Sequence, residues 1–253
     1  MNWLWFHKLA SPPYAYVLAR RMRPWLFWPA VLMMLWAAYA GLFMVPPDYQ
    51  QKDAYRIIFV HVPAASMSLL VYSVMAIAAA VGLIWRIKLA HAVAASCAFA
   101  GTIFTALALA TGSIWGRPMW GAWWAWDPRL TSELILLFLY LGYMALRASF
   151  DDIGRADRAA AVLAIVGVVN VPIIRYSVVW WNSLHQGTTL SLFGKSAIDP
   201  SMVAPLLVML LGFALYFGAI LCDGLCAEIL RRERNAQWLL KVVPTKPGLV
   251  KAA

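Results

Sequence analysis

Long apolar runs separated by short clusters of charge dominate the 253-residue chain. Six runs reach the roughly 20 residues that a helix needs to cross a hydrocarbon core: residues 24–45, 59–85, 91–114, 130–150, 159–181 and 202–222. None alternates with the two-residue period of a transmembrane strand. The pattern predicts an all-α polytopic membrane protein, a bundle of six transmembrane helices over residues 1–226 followed by a tail at 227–253. The first run follows Arg20-Arg21-Met22-Arg23, and no small-residue cleavage site comes after it, so it reads as a retained helix rather than a signal peptide. Trp3-Leu4-Trp5-Phe6 reads as an interfacial anchor, with Pro12-Pro13 interrupting any helix there. There is no internal repeat and no separate soluble domain.

Composition agrees with this pattern. Hydrophobic residues make up 63% of the chain and charged residues 13%, against about 45–50% and about 25% in a soluble domain. An ordinary soluble enzyme, a disordered chain and a disulfide-rich secreted module are excluded. The fourteen tryptophans and ten tyrosines suit membrane–water interfaces, where amphipathic rings settle. A net charge of +10 raises the question of nucleic acid, but the basic residues sit between apolar runs rather than on one polar face. The partner they imply is membrane lipid. Fifteen lysines and arginines lie in the two terminal segments and in the links 86–90 and 147–158, against five in 46–58, 115–129 and 182–201. The positive-inside rule therefore puts both termini in the cytoplasm and the longer loops outside, which in a Gram-negative bacterium is the periplasmic side of the inner membrane.

The external loop at 115–129 is distinctive. Trp115, Trp120, Trp123, Trp124 and Trp126 fall within twelve residues, interrupted by Gly116, Pro118 and Gly121 that bend the backbone between rings. An aromatic belt needs one or two rings per helix end. This loop offers a platform for a large, flat, hydrophobic ligand. Asp127-Pro128 reads as an N-cap and first helical residue. Arg129 sits at the membrane surface, facing either an anionic ligand group or a lipid phosphate.

Topology also sorts the histidines. His7 and His91 lie on the cytoplasmic side, whereas His61 opens the second span from outside and His185 follows the fifth. Only His61 and His185 can share a site with the tryptophans.

The stretch Trp120-Gly121-Ala122-Trp123-Trp124-Ala125-Trp126-Asp127-Pro128-Arg129-Leu130-Thr131 resembles the "WWD" motif of haem-handling membrane proteins. Nearly the whole chain is similar to the haem exporter protein C (CcmC) family of cytochrome c maturation. That resemblance implies a non-enzymatic protein that binds haem b as a transported ligand on the outer face and presents it to the periplasmic haem chaperone CcmE. It implies His61 and His185 as axial ligands of the iron. It further implies a complex with the ABC-transporter subunits CcmA and CcmB and the small membrane protein CcmD. Arg56 and Arg129 are the candidates for the two haem propionates, and Arg56 reads equally as an exposed loop charge. Met119 reads as packing. Two other classes stay open on the residues alone: a b-type haem subunit of an electron-transfer complex, and a transporter of a cationic organic solute, since tryptophan faces also bind quaternary ammonium groups.

Glu133 and Arg175 lie at similar depth within spans four and five. They form either an ion pair beneath the platform or a purely structural helix-to-helix tie. Asn170 and Pro172 predict a kink whose freed backbone groups find polar partners. Phe193-Gly194-Lys195-Ser196 looks like the end of a phosphate-binding loop, but the position that needs glycine holds Thr189. Cys97, Cys222 and Cys226 lack metal-site partners and read as structural.

Overall fold

A computed structural model describes residues 11–185 and 198–239. The described residues hold six helical segments long and apolar enough to cross a membrane. The predicted all-α membrane bundle is the observed fold. The interfacial anchor, His7, the phosphate-loop look-alike and residues 240–253 lie outside the described residues.

Helix α1 (Pro12–Tyr39) runs into a π-helical turn at Ala40–Met44. A 3-10 turn at Asp53–Ile57 leads into α2 (Ile58–Trp85), and α3 covers Lys88–Trp120. Helix α4 spans Pro128–Ala148. The fifth crossing is divided into α5 (Ile153–Gly167) and α6 (Asn170–Trp180), and α7 runs over Pro200–Arg232. Helix α1 packs along α7, and α2 along α3.

Three boundaries differ from the sequence reading, each for a physical reason. Pro12 and Pro13 occupy the first two positions of α1 instead of interrupting it. The missing N–H groups of prolines cost nothing where helical N–H groups lack partners anyway. Helix α3 continues past residue 114 through Trp120, so the first part of the tryptophan region is helical. Gly116 and Pro118 bend nothing away there, and the helix stops at Gly121, whose φ of 77° is left-handed. That backbone suits glycine. The kink falls one turn before Pro172, at Val168–Val169. Proline cannot bond the carbonyl four residues back and its ring collides with it. Asn170 Nδ2 donates to the Ser132 carbonyl of α4 at 2.8 Å, supplying the expected polar partner.

The core is aromatic as well as aliphatic: Tyr72, Tyr140, Tyr143 and Leu136 are fully buried. Tyr140 Oη donates to the Ser68 carbonyl at 2.8 Å, and its ring meets Tyr72 edge-on at 5.0 Å. Trp25, Phe43 and Ile84 point outward, as residues do in a protein whose solvent is lipid. At the end remote from the tryptophan region, Asp157 of α5 accepts hydrogen bonds from Arg147 of α4 (3.2 Å) and Arg232 of α7 (2.7 Å). Glu228 joins the same two arginines at 3.2 Å and 3.0 Å. These contacts tie three helices together through arginines whose charge also marks the topology.

Candidate functional site

The site begins with the helical stretch of the tryptophan motif. Because Trp115 and Trp120 lie on the last turns of α3, both face one cavity of about 600 Å³. That volume is in the range of small-molecule and cofactor sites. The same cavity is lined by His61 of α2, Arg129 of α4, Arg175 of α6, and His185 beyond α6. Met119, read as packing, also lies on its wall.

Each histidine is held by a hydrogen bond at Nδ1 and packed against a tryptophan. His61 Nδ1 lies 3.0 Å from Thr111 Oγ1. The threonine hydroxyl already donates its one proton to the Leu107 carbonyl at 2.6 Å. It must therefore accept from His61, so Nδ1 carries the ring proton and Nε2 keeps the free lone pair. Trp115 meets this ring edge-on at 5.6 Å and is itself fixed by donating Nε1–H to Gln51 Oε1 at 3.0 Å. His185 Nδ1 lies 3.1 Å from Asp127 Oδ1. An ionised carboxylate only accepts, so Nδ1 is again protonated and Nε2 free. Trp120 meets the His185 ring at 4.9 Å. Glycine makes room for this: a Cβ at Gly116 would lie 3.0 Å from the Trp120 ring.

Asp127 is the organising acid of the tryptophan end of the bundle. As the N-cap of α4 it accepts from the Arg129 N–H at 3.0 Å. It also takes hydrogen bonds from Ser183 Oγ at 2.7 Å and the Leu184 N–H at 2.8 Å. Burial alone would raise its carboxyl, but these hydrogen bonds and His185 outweigh burial and hold it below the ordinary value. Burial pushes the His185 imidazole below its ordinary value despite the neighbouring carboxylate, with Arg129 adding to the effect. The pair is thus a neutral imidazole hydrogen-bonded to a carboxylate rather than a salt bridge, and Nε2 is available to a metal.

The sequence candidates divide. His61, His185, Trp115, Trp120 and Arg129 are brought together at the cavity. Asp127 stands behind His185 instead of on the wall. Trp123 and Trp126 are exposed, and Trp124 packs edge-on against Trp126 at 5.7 Å. Arg56 is not brought to the cavity. Its guanidinium donates to the Gly41 and Val45 carbonyls at 2.7 Å and 3.0 Å and to Asp53 at 2.8 Å, closing the π-helical end of the first span. Glu133 is buried and linked to α2 by the Ser68 hydroxyl at 2.6 Å, while Arg175 lines the cavity. Thr111 and Gln51 carried no signal in the sequence, because a threonine in an apolar run and a glutamine in a loop are ordinary.

The sequence profile of the Heme exporter protein C family matches residues 5–240. The chain belongs to that family. Its relatives include Heme exporter protein C of Escherichia coli (strain K12), 46% identical over 241 residues, covering 95% of this chain and 97% of that protein. Heme exporter protein C of Bradyrhizobium diazoefficiens is 48% identical over 225 residues, covering 89% and 85%. A putative cytochrome c biosynthesis ccmC-like mitochondrial protein of Marchantia polymorpha is 43% identical over 177 residues, covering 70% and 75%. This chain is therefore a multi-pass membrane member of the Heme exporter protein C family.

Proposed function

We propose that this protein binds haem b in the cavity between α2, α3, α4 and α6, with His61 and His185 as the two axial ligands of the iron. It then presents the haem to the periplasmic chaperone CcmE for c-type cytochrome biogenesis. One observation carries the reading: two imidazoles protonated at Nδ1, two tryptophans and two arginines line a single cavity. The donor set matches the cargo. Imidazole nitrogens suit haem iron, the indoles of Trp115 and Trp120 suit the macrocycle, and Arg129 with Arg175 suits two propionates better than Arg129 with Arg56. The names of the relatives agree with haem as the ligand.

In this reading Trp123 and Trp126 form the exposed surface on which the chaperone docks, with Trp124 half-buried against Trp126. The distribution of arginine and lysine supports an inner-membrane protein with the site on the periplasmic side and both termini in the cytoplasm. CcmA, CcmB and CcmD are the expected members of the complex. The role is carriage, not bond-making chemistry in the substrate. The test is the visible absorption spectrum of the purified protein, alone and with CcmE. A six-coordinate bis-histidine haem that disappears from this chain as it appears on CcmE is expected. A preparation with no porphyrin band after haem loading would refute the reading.

A further inference from the structure

The two histidines have the same tautomer but different partners behind them. Thr111 is a neutral acceptor whose oxygen is already engaged with Leu107. Asp127 is an anion fixed by Ser183, Leu184 and the Arg129 backbone. A carboxylate behind a ligating imidazole draws the Nδ1 proton and raises the basicity of the ring. A hydroxyl does this far less. Their attachments differ too: His61 is on the wall of α2, whereas His185 lies past the end of α6, in an outer segment that Asp127 holds against α4.

We propose that the two rings are unequal ligands of the iron, with Asp127 making His185 the retained anchor and Thr111 leaving His61 as the exchangeable ligand. This rests on the haem-binding reading above and assigns an order to release. The bond from iron to His61 Nε2 breaks first, its electron pair returns to the ring, and no change of iron oxidation state is needed. Haem is then free of the bundle wall but still held by the outer segment beside the exposed tryptophans. The coordination position vacated on iron is open to a donor of the acceptor protein. Thr111 and Asp127 act as positioning residues, through the histidines.

Carbon monoxide tests the order on the full-length, haem-loaded protein, because it displaces the weaker axial ligand of ferrous iron. The iron–carbonyl vibrational signature of the wild type is expected to match that of His61→Ala and to differ from that of His185→Ala. A match to His185→Ala, or identical signatures in the two variants, would overturn the proposal. A kinetic arm keeps both ligands in place. Thr111→Val is expected to speed carbon monoxide entry several-fold, Thr111→Ser to restore the wild-type rate, and Asp127→Asn to change the vibrational signature with little effect on that rate. Acceleration by Asp127→Asn and not by Thr111→Val would reverse the assignment and overturn it. Failure of the underlying haem reading is seen separately, before carbon monoxide is added, as a ferrous spectrum that does not depend on both histidines.

Discussion

Gly112 of α3 is the seat of the His61 ring: a Cβ at this position would lie 3.1 Å from His61 Cε1. That is tighter than ordinary van der Waals contact, so a side chain here would push the imidazole aside by a few tenths of an ångström. Thr111, the neighbour that orients the same ring, is the preceding residue on that helix. Seat and hydrogen-bond acceptor are thus built into consecutive positions.

Gly112→Ala is expected to separate stability from haem binding. Alanine favours a helix interior over glycine by up to about 1 kcal/mol, so the melting temperature in detergent should hold or rise. Haem loading should fall because the ring must shift, and Gly112→Val should lower it further. Thermal melting and haem absorbance on one preparation check this. Unchanged loading in the valine variant would remove Gly112 from the site.

On the proposed coordination, His61→Ala and His185→Ala should each abolish the six-coordinate spectrum, since each would remove one axial bond. His91→Ala should not. His91 is buried near the start of α3, where a Cβ at Gly82 would collide with its ring, and it takes no part in the cavity lining. Spectra of the three variants at equal protein concentration decide the point.

Arg56→Ala should lower stability and leave the haem spectrum of the surviving folded protein intact. Hydrogen bonds from a charged group contribute about 1.5–3 kcal/mol each, and this guanidinium closes two carbonyls of the first span. Arg129→Ala and Arg175→Ala are expected to lose haem. If Arg56→Ala lost haem at wild-type stability, Arg56 would be a propionate partner.

The tryptophans should split into two classes. Trp115→Ala and Trp120→Ala should weaken haem retention, because both rings line the cavity. Trp123→Ala and Trp126→Ala should retain haem but slow its transfer, because these side chains are 61% and 78% exposed. Measuring haem on this protein and on CcmE in one reaction separates the classes.

Acid should loosen the segment that carries His185. The Asp127 carboxyl is held below its ordinary value in the folded protein, so its contribution to stability is present above the unfolded carboxylate value and is lost as pH falls through the lowered native value. His185 is also lowered. Its neutral form is favoured by folding, so stability is full above the ordinary imidazole value and declines as pH falls from there towards the native one. Haem loading should be flat above about pH 6.5 and fall on acidification. Asp127→Asn should remove the carboxylate part of this dependence, and a melting profile against pH reads it directly.

The amino-acid order alone determined the six crossings, the tryptophan region between the third and fourth, the Asp127 cap, the kink near Pro172, and the grouping of His61 and His185, and not His91, with that region. These features are written in runs, charge counts and nearest-neighbour chemistry, which are local properties of a chain in lipid. The tertiary structure decided which tryptophans line the cavity. That depends on α3 staying helical through Gly116 and Pro118 as far as Gly121, where packing outweighs residue preference. It also exchanged Arg56 for Arg175 at the cavity, placed Asp127 behind His185, and brought Thr111, Gly112 and Gln51 to the site. Those relationships join residues on different helices or loops, or depend on the direction in which a helix turns its face. Rotation and register between helices are set by the packing of the whole bundle, and no segment of the chain carries them by itself.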